Sequence, residues 1–276
     1  MRLDAWLREA ARRLGAAGVP EPALDAQLLA SGFLGRDRAY VLAHAELEVP
    51  PEAEEMLRRR ETREPLAYIL GWREFFGRRF QVSPAVLIPR QETECVVEAC
   101  LQLPLPADAV VADVGTGSGC IAVTLALERP LWRVLATDCS MPALGVASAN
   151  AARLGARVSL RVGDLVEPLR GMRCDLIVSN PPYVRRGESL QDEVGRFEPA
   201  EALFAGPTGL EFYERLAQEV PDVLQPAGWL VAELGDAEGA RRAFEGRGWS
   251  AEVRPDLAGL PRVLVARRLA ETEPKR

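Results

Sequence analysis

Residues 180–183 read Asn180-Pro181-Pro182-Tyr183, four side chains whose types suit one kind of chemistry. The nitrogen of an amide or an aromatic amine is a poor nucleophile because its lone pair is delocalised. Alkylating it requires that pair to be redirected toward an electrophile. Asn180 Oδ1 and the Pro181 carbonyl can each accept one N–H of a planar amino group, fixing its orientation and favouring pyramidal character. Pro181 and Pro182 have no N–H to donate and hold the turn extended, so their carbonyls stay free. Tyr183 is expected to stack on the planar substrate and to stabilise growing positive charge with its π face, by about 0.5–2 kcal/mol. The ammonium-like product can lose its proton to water, so no basic side chain is needed before attack. Standing alone, the tetrapeptide would be an ordinary proline-rich turn after a strand.

It does not stand alone. Upstream lies Asp113-Val114-Gly115-Thr116-Gly117-Ser118-Gly119, a loop whose glycines let a ligand reach the backbone and whose following helix offers unpaired N–H groups. A nicotinamide-binding turn competes for this reading. The G-x-G-x-x-G spacing from Gly115 would need glycine or alanine at position 120, where the chain has Cys120. Asp138 closes the next strand, where a carboxylate can accept from two ribose hydroxyls. Asp164, followed by Leu165, closes the third and can accept from an exocyclic adenine amine. Asp113 either contacts the cofactor or organises the glycine loop through its backbone amides. Together these residues imply S-adenosylmethionine-dependent methyl transfer to a planar nitrogen. In that reading Asn180, Pro181 and Tyr183 do the chemistry, and Asn180 to Tyr183 hold the substrate. The cofactor is held by Asp113, Gly115, Thr116, Gly117, Ser118, Gly119, Asp138, Asp164 and Asn180, and leaves as S-adenosylhomocysteine.

Composition removes several other chemistries. His44 is the only histidine and lies in a helical stretch near the N-terminus, which excludes Ser-His-Asp, Cys-His and His-rich metal sites. Five cysteines, with no C-x-x-C pair, indicate neither a zinc cluster nor a disulfide framework, and buried free thiols and no metal are expected. The formal charge of −6 argues against binding driven by nucleic-acid phosphate, so no direct nucleic-acid binding is expected. Uncharged runs such as 114–127 fall short of the roughly 18 residues of a membrane span. Charges in Met1-Arg2-Leu3-Asp4 interrupt any signal-peptide pattern, and a cytoplasmic monomer is expected.

The elements that must position these residues follow from periodicity. Leu3, Trp6, Leu7, Ala10, Ala11 and Leu14 recur at helical spacing, as do Leu24, Leu28 and Leu29. Breaks at 18–22, 35–37 and 50–51 divide residues 1–71 into short helices of a small N-terminal domain. Residues 72–82 have strand-like composition on both sides of Gly77, which predicts a β-hairpin inside a linker at 72–90. From 91 to 270 strands alternate with helices: strands at 109–114, 133–137, 158–162, 175–179, 229–233, 251–254 and 263–266, with helices from Cys120 and over 142–154. The expected fold is an α/β Rossmann-like class I methyltransferase domain with a mainly parallel seven-stranded sheet, covered by helices on both faces. Residues 271–276 are a charged, flexible tail. On these residues alone, an enzyme acting on an exocyclic amino group of adenine or cytosine, a dehydrogenase and a non-catalytic nucleotide-binding protein remain as alternatives.

The connecting segments are more specific. Glu64-Pro65-Leu66-Ala67-Tyr68-Ile69-Leu70-Gly71 and Phe80-Gln81-Val82-Ser83-Pro84-Ala85-Val86-Leu87-Ile88-Pro89-Arg90-Gln91-Glu92-Thr93-Glu94 join the two motifs above. Arg196-Phe197-Glu198-Pro199 and Asp256-Leu257-Ala258-Gly259 complete a pattern running through nearly the whole chain. In these features the chain resembles the HemK/PrmC-type protein-glutamine methyltransferases, which modify the glutamine of the Gly-Gly-Gln loop of peptide-chain release factors and so modulate translation termination. The resemblance implies that residues 115–119, Asp138 and the Asp164-Leu165 turn bind S-adenosylmethionine. It also implies that residues 180–183 hold the glutamine amide, and that the helical N-terminal domain helps receive the release factor. Glu238 departs from the pattern, standing where the family often has glutamine.

Overall fold

The computed structural model describes residues 1–269; Ala270 and the charged tail at 271–276 lie outside the described residues. Two compact units share the chain. One comprises Met1–Trp72 with Leu190–Phe197, and the other Arg73–Ser189 with the described residues from Glu198 onward.

In the first unit are α1 (Leu3–Ala16), α2 (Pro22–Leu34), α3 (Arg38–Ala43), α4 (Glu52–Glu61) and α5 (Leu66–Leu70); the three breaks read from the sequence fall between α1 and α4, and a further one, not read there, separates α4 from α5. Their apolar faces meet in a core containing Leu3, Trp6, Leu14, Leu29, Val41 and Leu57. Trp6 packs edge-on to Phe33 with ring centroids 5.1 Å apart, a favoured aromatic geometry.

A hairpin of β1 (Trp72–Phe75) and β2 (Arg78–Gln81) follows, all but its first residue in the second unit. Phe76 (φ 50°) and Gly77 (φ 69°) form its two-residue turn, both with the positive φ that tight hairpins favour. The linker expected at 72–90 is more than a connection: Phe75 and Phe80 are fully buried in this unit's core. There follow α6 (Glu94–Leu101), β3 (Val110–Val114), α7 (Cys120–Glu128), β4 (Arg133–Asp138), α8 (Met141–Leu154), β5 (Val158–Val162), β6 (Cys174–Ser179), β7 (Val184–Arg185), α9 (Asp192–Phe197), β8 (Phe204–Gly206), α10 (Glu211–Glu219), β9 (Leu224–Glu233), α11 (Ala237–Phe244), β10 (Trp249–Pro255) and β11 (Pro261–Arg268). Of these, α9 belongs to the first unit. From the sequence, α6, α9, α10 and α11 are assigned to no element.

Seven strands form one sheet in the order β10-β11-β9-β6-β3-β4-β5. The β9-β6-β3-β4-β5 neighbours pair in parallel, while β11 runs antiparallel to both β9 and β10. Side-chain alternation assigns the two faces. Val111, Val134, Ala136, Leu176 and Val178 pack beneath α6 and α7. Ala112, Val114, Leu135 and Ile177 pack instead with Tyr213 and Leu216 of α10 and Phe244 of α11. From β3 the chain steps outward through β4 to β5, then returns to the other side of β3 as β6. The strand order therefore reverses between β3 and β6. In open α/β sheets a ligand crevice forms at such a reversal, beyond the carboxyl ends of the strands.

Among the described residues no helix is long and apolar enough to cross a membrane. Cys100, Cys120 and Cys174 are buried free thiols as expected, Cys95 is half-buried, and Cys139 is exposed. The exposure of Cys139 corrects the expectation that all five are buried, because it follows the last residue of β4 at the mouth of the crevice.

Candidate active site

The glycine loop follows β3 and the Asn180 turn follows β6, so the two segments flank the point of reversal. They line one cleft with Asp138, Asp164 and Leu165, enclosing about 1010 Å³ including its open mouth. Residues 115–118, Asn180, Pro181 and Pro182 all reach it. Asp113, Gly119 and Tyr183 are not among its lining residues.

Asp113 lies under the loop, fully buried. Its Oδ2 accepts from the Thr116 hydroxyl at 2.6 Å and from the Ala122 N–H at 3.1 Å, while Oδ1 has no partner. Burial pushes the carboxyl up to about 7, against those two donors, which favour the ionised form. Asp113 thus ties Thr116 of the loop to the first turn of α7. Gly119 (φ 80°) caps α7, and an added Cβ would come within 3.1 Å of Ala147 Cβ and 3.2 Å of its Cα, so glycine here permits α7 to approach α8.

Asp138 faces the cleft from the end of β4. Its Oδ2 accepts from Gly117 N–H at 2.9 Å and its Oδ1 from Ser140 N–H at 2.9 Å. These bonds fix the carboxylate yet leave each oxygen a free lone pair for a hydroxyl. Asp164 is paired with Arg215 at 2.8 Å, an exposed contact that contributes little stability. Leu165 holds φ 44°, and its carbonyl accepts from the buried Thr137 hydroxyl at 2.9 Å.

The Asn180 turn is braced from behind. Asn180 Nδ2 donates to Thr93 Oγ1 at 3.3 Å, Thr93 Oγ1 donates to Glu233 Oε2 at 2.5 Å, and Tyr183 Oη donates to Glu233 Oε1 at 3.4 Å. Glu233 ends β9, the strand beside β6, and is buried. Burial raises its carboxyl above the usual range, opposed by the Thr93 hydroxyl and by Arg262. The Tyr183 phenol is pushed up to about 12 by burial and by the Glu233 carboxylate. An added Cβ on Gly235 would stand 2.5 Å from Tyr183 Cδ2, so the ring rests on the Gly235 backbone. The Tyr183 ring thus rests on Gly235, and its hydroxyl points to Glu233.

A second buried carboxylate holds the segment that leads into α6. Glu198, buried, accepts from Ile88 N–H at 3.0 Å and from Arg90 Nη2 at 2.6 Å, which fastens the segment before α6 along the cleft.

Family profiles match on both sides of the hairpin: the PrmC N-terminal domain over residues 5–71 and the methyltransferase small domain over residues 94–200. The release factor glutamine methyltransferase of Koribacter versatilis is 46% identical over 277 residues, covering 97% of this chain and 99% of its own length. The chain belongs to the release factor glutamine methyltransferase family. Its counterpart from Moorella thermoacetica is 43% identical over 98% of this chain and 100% of that protein. Among solved structures, a methyltransferase from Pyrococcus furiosus superposes with a TM-score of 0.53 over 71% of this chain and 91% of that chain. At 21% identity this is a likeness of fold.

In this release factor glutamine methyltransferase family member, several lining residues carried no role in the sequence reading. Val86, Pro89, Arg90 and Thr93 come from the connecting segment noted for its specificity, which was the available signal. Phe212 and Ala202 line the cleft with no comparable signal. Glu233 escaped notice because its position beside Thr93 depends on β9 pairing with β6. Glu238 is exposed on α11 and pairs with Arg241 and Arg242.

Proposed function

We propose that this chain transfers a methyl group from S-adenosylmethionine to the side-chain amide nitrogen of the glutamine in the Gly-Gly-Gln loop of peptide-chain release factors. The reading is carried by one observation: Asn180 and Pro181 share a single cleft with residues 115–118 and Asp138 at the strand reversal. Its relatives' names and the match to the PrmC N-terminal domain support the choice of glutamine over a nucleic-acid base.

The lining fits the cofactor. At Gly115 and Gly117 an added Cβ would meet nothing within 4 Å, so this loop leaves open space beside its backbone. Asp138 accepts the ribose hydroxyls, and Asp164 with Leu165 holds the adenine end. The cofactor, when bound, supplies an electrophilic methyl group on a sulfonium centre.

The remaining work belongs to the chain. Asn180 Oδ1 and the Pro181 carbonyl accept the two N–H groups of the glutamine amide and draw its nitrogen out of conjugation. Tyr183 and Pro182 hold the turn that presents them. After attack the nitrogen is cationic, and its excess proton leaves to water. Action in the cytoplasm, as a monomer, belongs to the same reading.

The test is transfer from labelled S-adenosylmethionine to a purified release factor and to its glutamine-to-alanine variant. Label is expected in the first alone. Equal labelling of both would overturn the assignment.

A further inference from the structure

Glu233 does not line the cleft. It is nevertheless the point where two segments of the Asn180 turn converge. An ionised carboxylate only accepts, a hydroxyl has one proton to give, and a primary amide has a donor end and an acceptor end. With Glu233 as the carboxylate, Thr93 commits its proton to Oε2 and can only accept from Asn180. The Asn180 amide must then turn Nδ2 toward Thr93, which leaves Oδ1 free of that contact. Tyr183, two peptide bonds beyond Pro181, commits its own proton to Oε1. The strand end carrying Glu233 is fixed in turn. Tyr213 Oη donates to the Glu233 carbonyl at 2.9 Å and accepts from Gly235 N–H at 3.2 Å.

We propose that Glu233 is a positioning residue which, through the Thr93 hydroxyl, sets the flip of the Asn180 amide so that its oxygen faces the substrate, while holding the Tyr183 side of the turn. This rests on the methyl-transfer reading above and adds the element that gives the turn its polarity. A buried amide with no such tether could present either end. Presented nitrogen first, it would meet the N–H groups of a substrate amide donor to donor.

Glu233→Gln tests the direction of the relay without changing its shape. The glutamine NH₂ must face Thr93 or Tyr183, so one of the two links reverses. Thr93→Val removes the relay hydroxyl and Thr93→Ser keeps it. With full-length protein and a release factor, kcat is expected to fall about 100-fold in E233Q and T93V. The cofactor Kd should stay within about threefold of wild type in both, and T93S should recover kcat to within about threefold. The side-chain amide resonances of Asn180, assigned by their loss in N180A, should move in E233Q and T93V and stay in place in T93S. Wild-type kcat in E233Q would overturn the proposal, as would loss of cofactor affinity and melting temperature together with activity. Should the wild-type protein methylate no release factor, the functional reading fails instead. The Asn180 resonances then decide this proposal by themselves, since unmoved signals in T93V, which lacks the relay hydroxyl, would refute it.

Discussion

Amide methylation depends on the direction of one lone pair, and the acceptors that direct it are Asn180 Oδ1 and the Pro181 carbonyl. Replacing Asn180 with alanine deletes one acceptor and leaves the glycine loop untouched. We expect kcat for N180A to fall at least about 100-fold with cofactor Kd within about tenfold of wild type, measured by steady-state kinetics and calorimetric titration. Asp113 makes a pH-dependent contribution beneath the same cleft. Its carboxyl is held near 7 by burial, against an ordinary 3.8. Between about pH 4 and pH 7 the folded chain keeps a proton that the unfolded chain has lost, so the stabilisation is complete below that window and disappears as pH rises through about 7. Thermal melts from pH 4 to 8 should show a decline in wild type that is flatter in Asp113→Asn. An equal decline in both would assign the effect to other groups.

At the scale of elements, the cleft depends on how the hairpin, the glycine loop and α8 are tied together. Asn150 of α8 is fully buried. Its Nδ2 donates to the carbonyls of Gln81 and Ser118 at 2.9 Å, and its Oδ1 accepts from Gln81 N–H at 2.7 Å. Asn150→Ala would leave these backbone groups unpaired, costing about 3 kcal/mol. We expect a melting temperature lower by about 6–12 °C, together with weaker cofactor binding because the Ser118 carbonyl loses its anchor. An unchanged cofactor Kd would separate the tie from the loop. The helices flanking this tie were legible: α7 follows the glycines, and Ser140 caps α8 by accepting from Ala143 N–H at 3.3 Å. For α10 the apolar residues Tyr213, Leu216 and Ala217 stand at helical spacing, a pattern that identifies the helix once the strand content around it is known.

At the scale of the whole molecule the chain contributes to its two units out of sequence order. Residues 190–197 belong with the helices of the first unit although they follow the Asn180 turn. Glu193 accounts for the attachment, pairing with Arg63 at 2.8 Å and with the buried Arg60 at 3.1 Å, while Arg60 also holds Asp25 at 2.7 Å. The two arginines bring the Glu193 carboxyl down to about 2, Arg63 contributing most. That stabilisation is present above about pH 4.5 and lost as pH falls through about 2. We expect Glu193→Gln to cost the first unit about 2 kcal/mol at neutral pH, to speed hydrogen exchange across 190–197, and to flatten the acid dependence between pH 4.5 and 2. Unaltered exchange in that segment would mean that apolar packing alone retains it.

Local order sufficed for what depends on neighbours in the chain. Strand-turn-helix alternation, the glycine loop and the acids at the end of β4 and just after β5 come from periodicity and turn chemistry, so the sequence alone determined the seven-stranded α/β domain and the loops at the ends of its strands. The meeting of Thr93, Asn180, Tyr183 and Glu233 was decided only by tertiary structure. Their segments are joined by the order β9-β6-β3 and by the placement of α6, and strand order is a global property that no local pattern encodes. The same reason separates the two fates of the Asn180 tetrapeptide. Its hydrogen-bonding chemistry was readable from residue types, whereas the side of the turn that Tyr183 would occupy depended on Gly235 and Glu233 arriving from a strand some fifty residues further on.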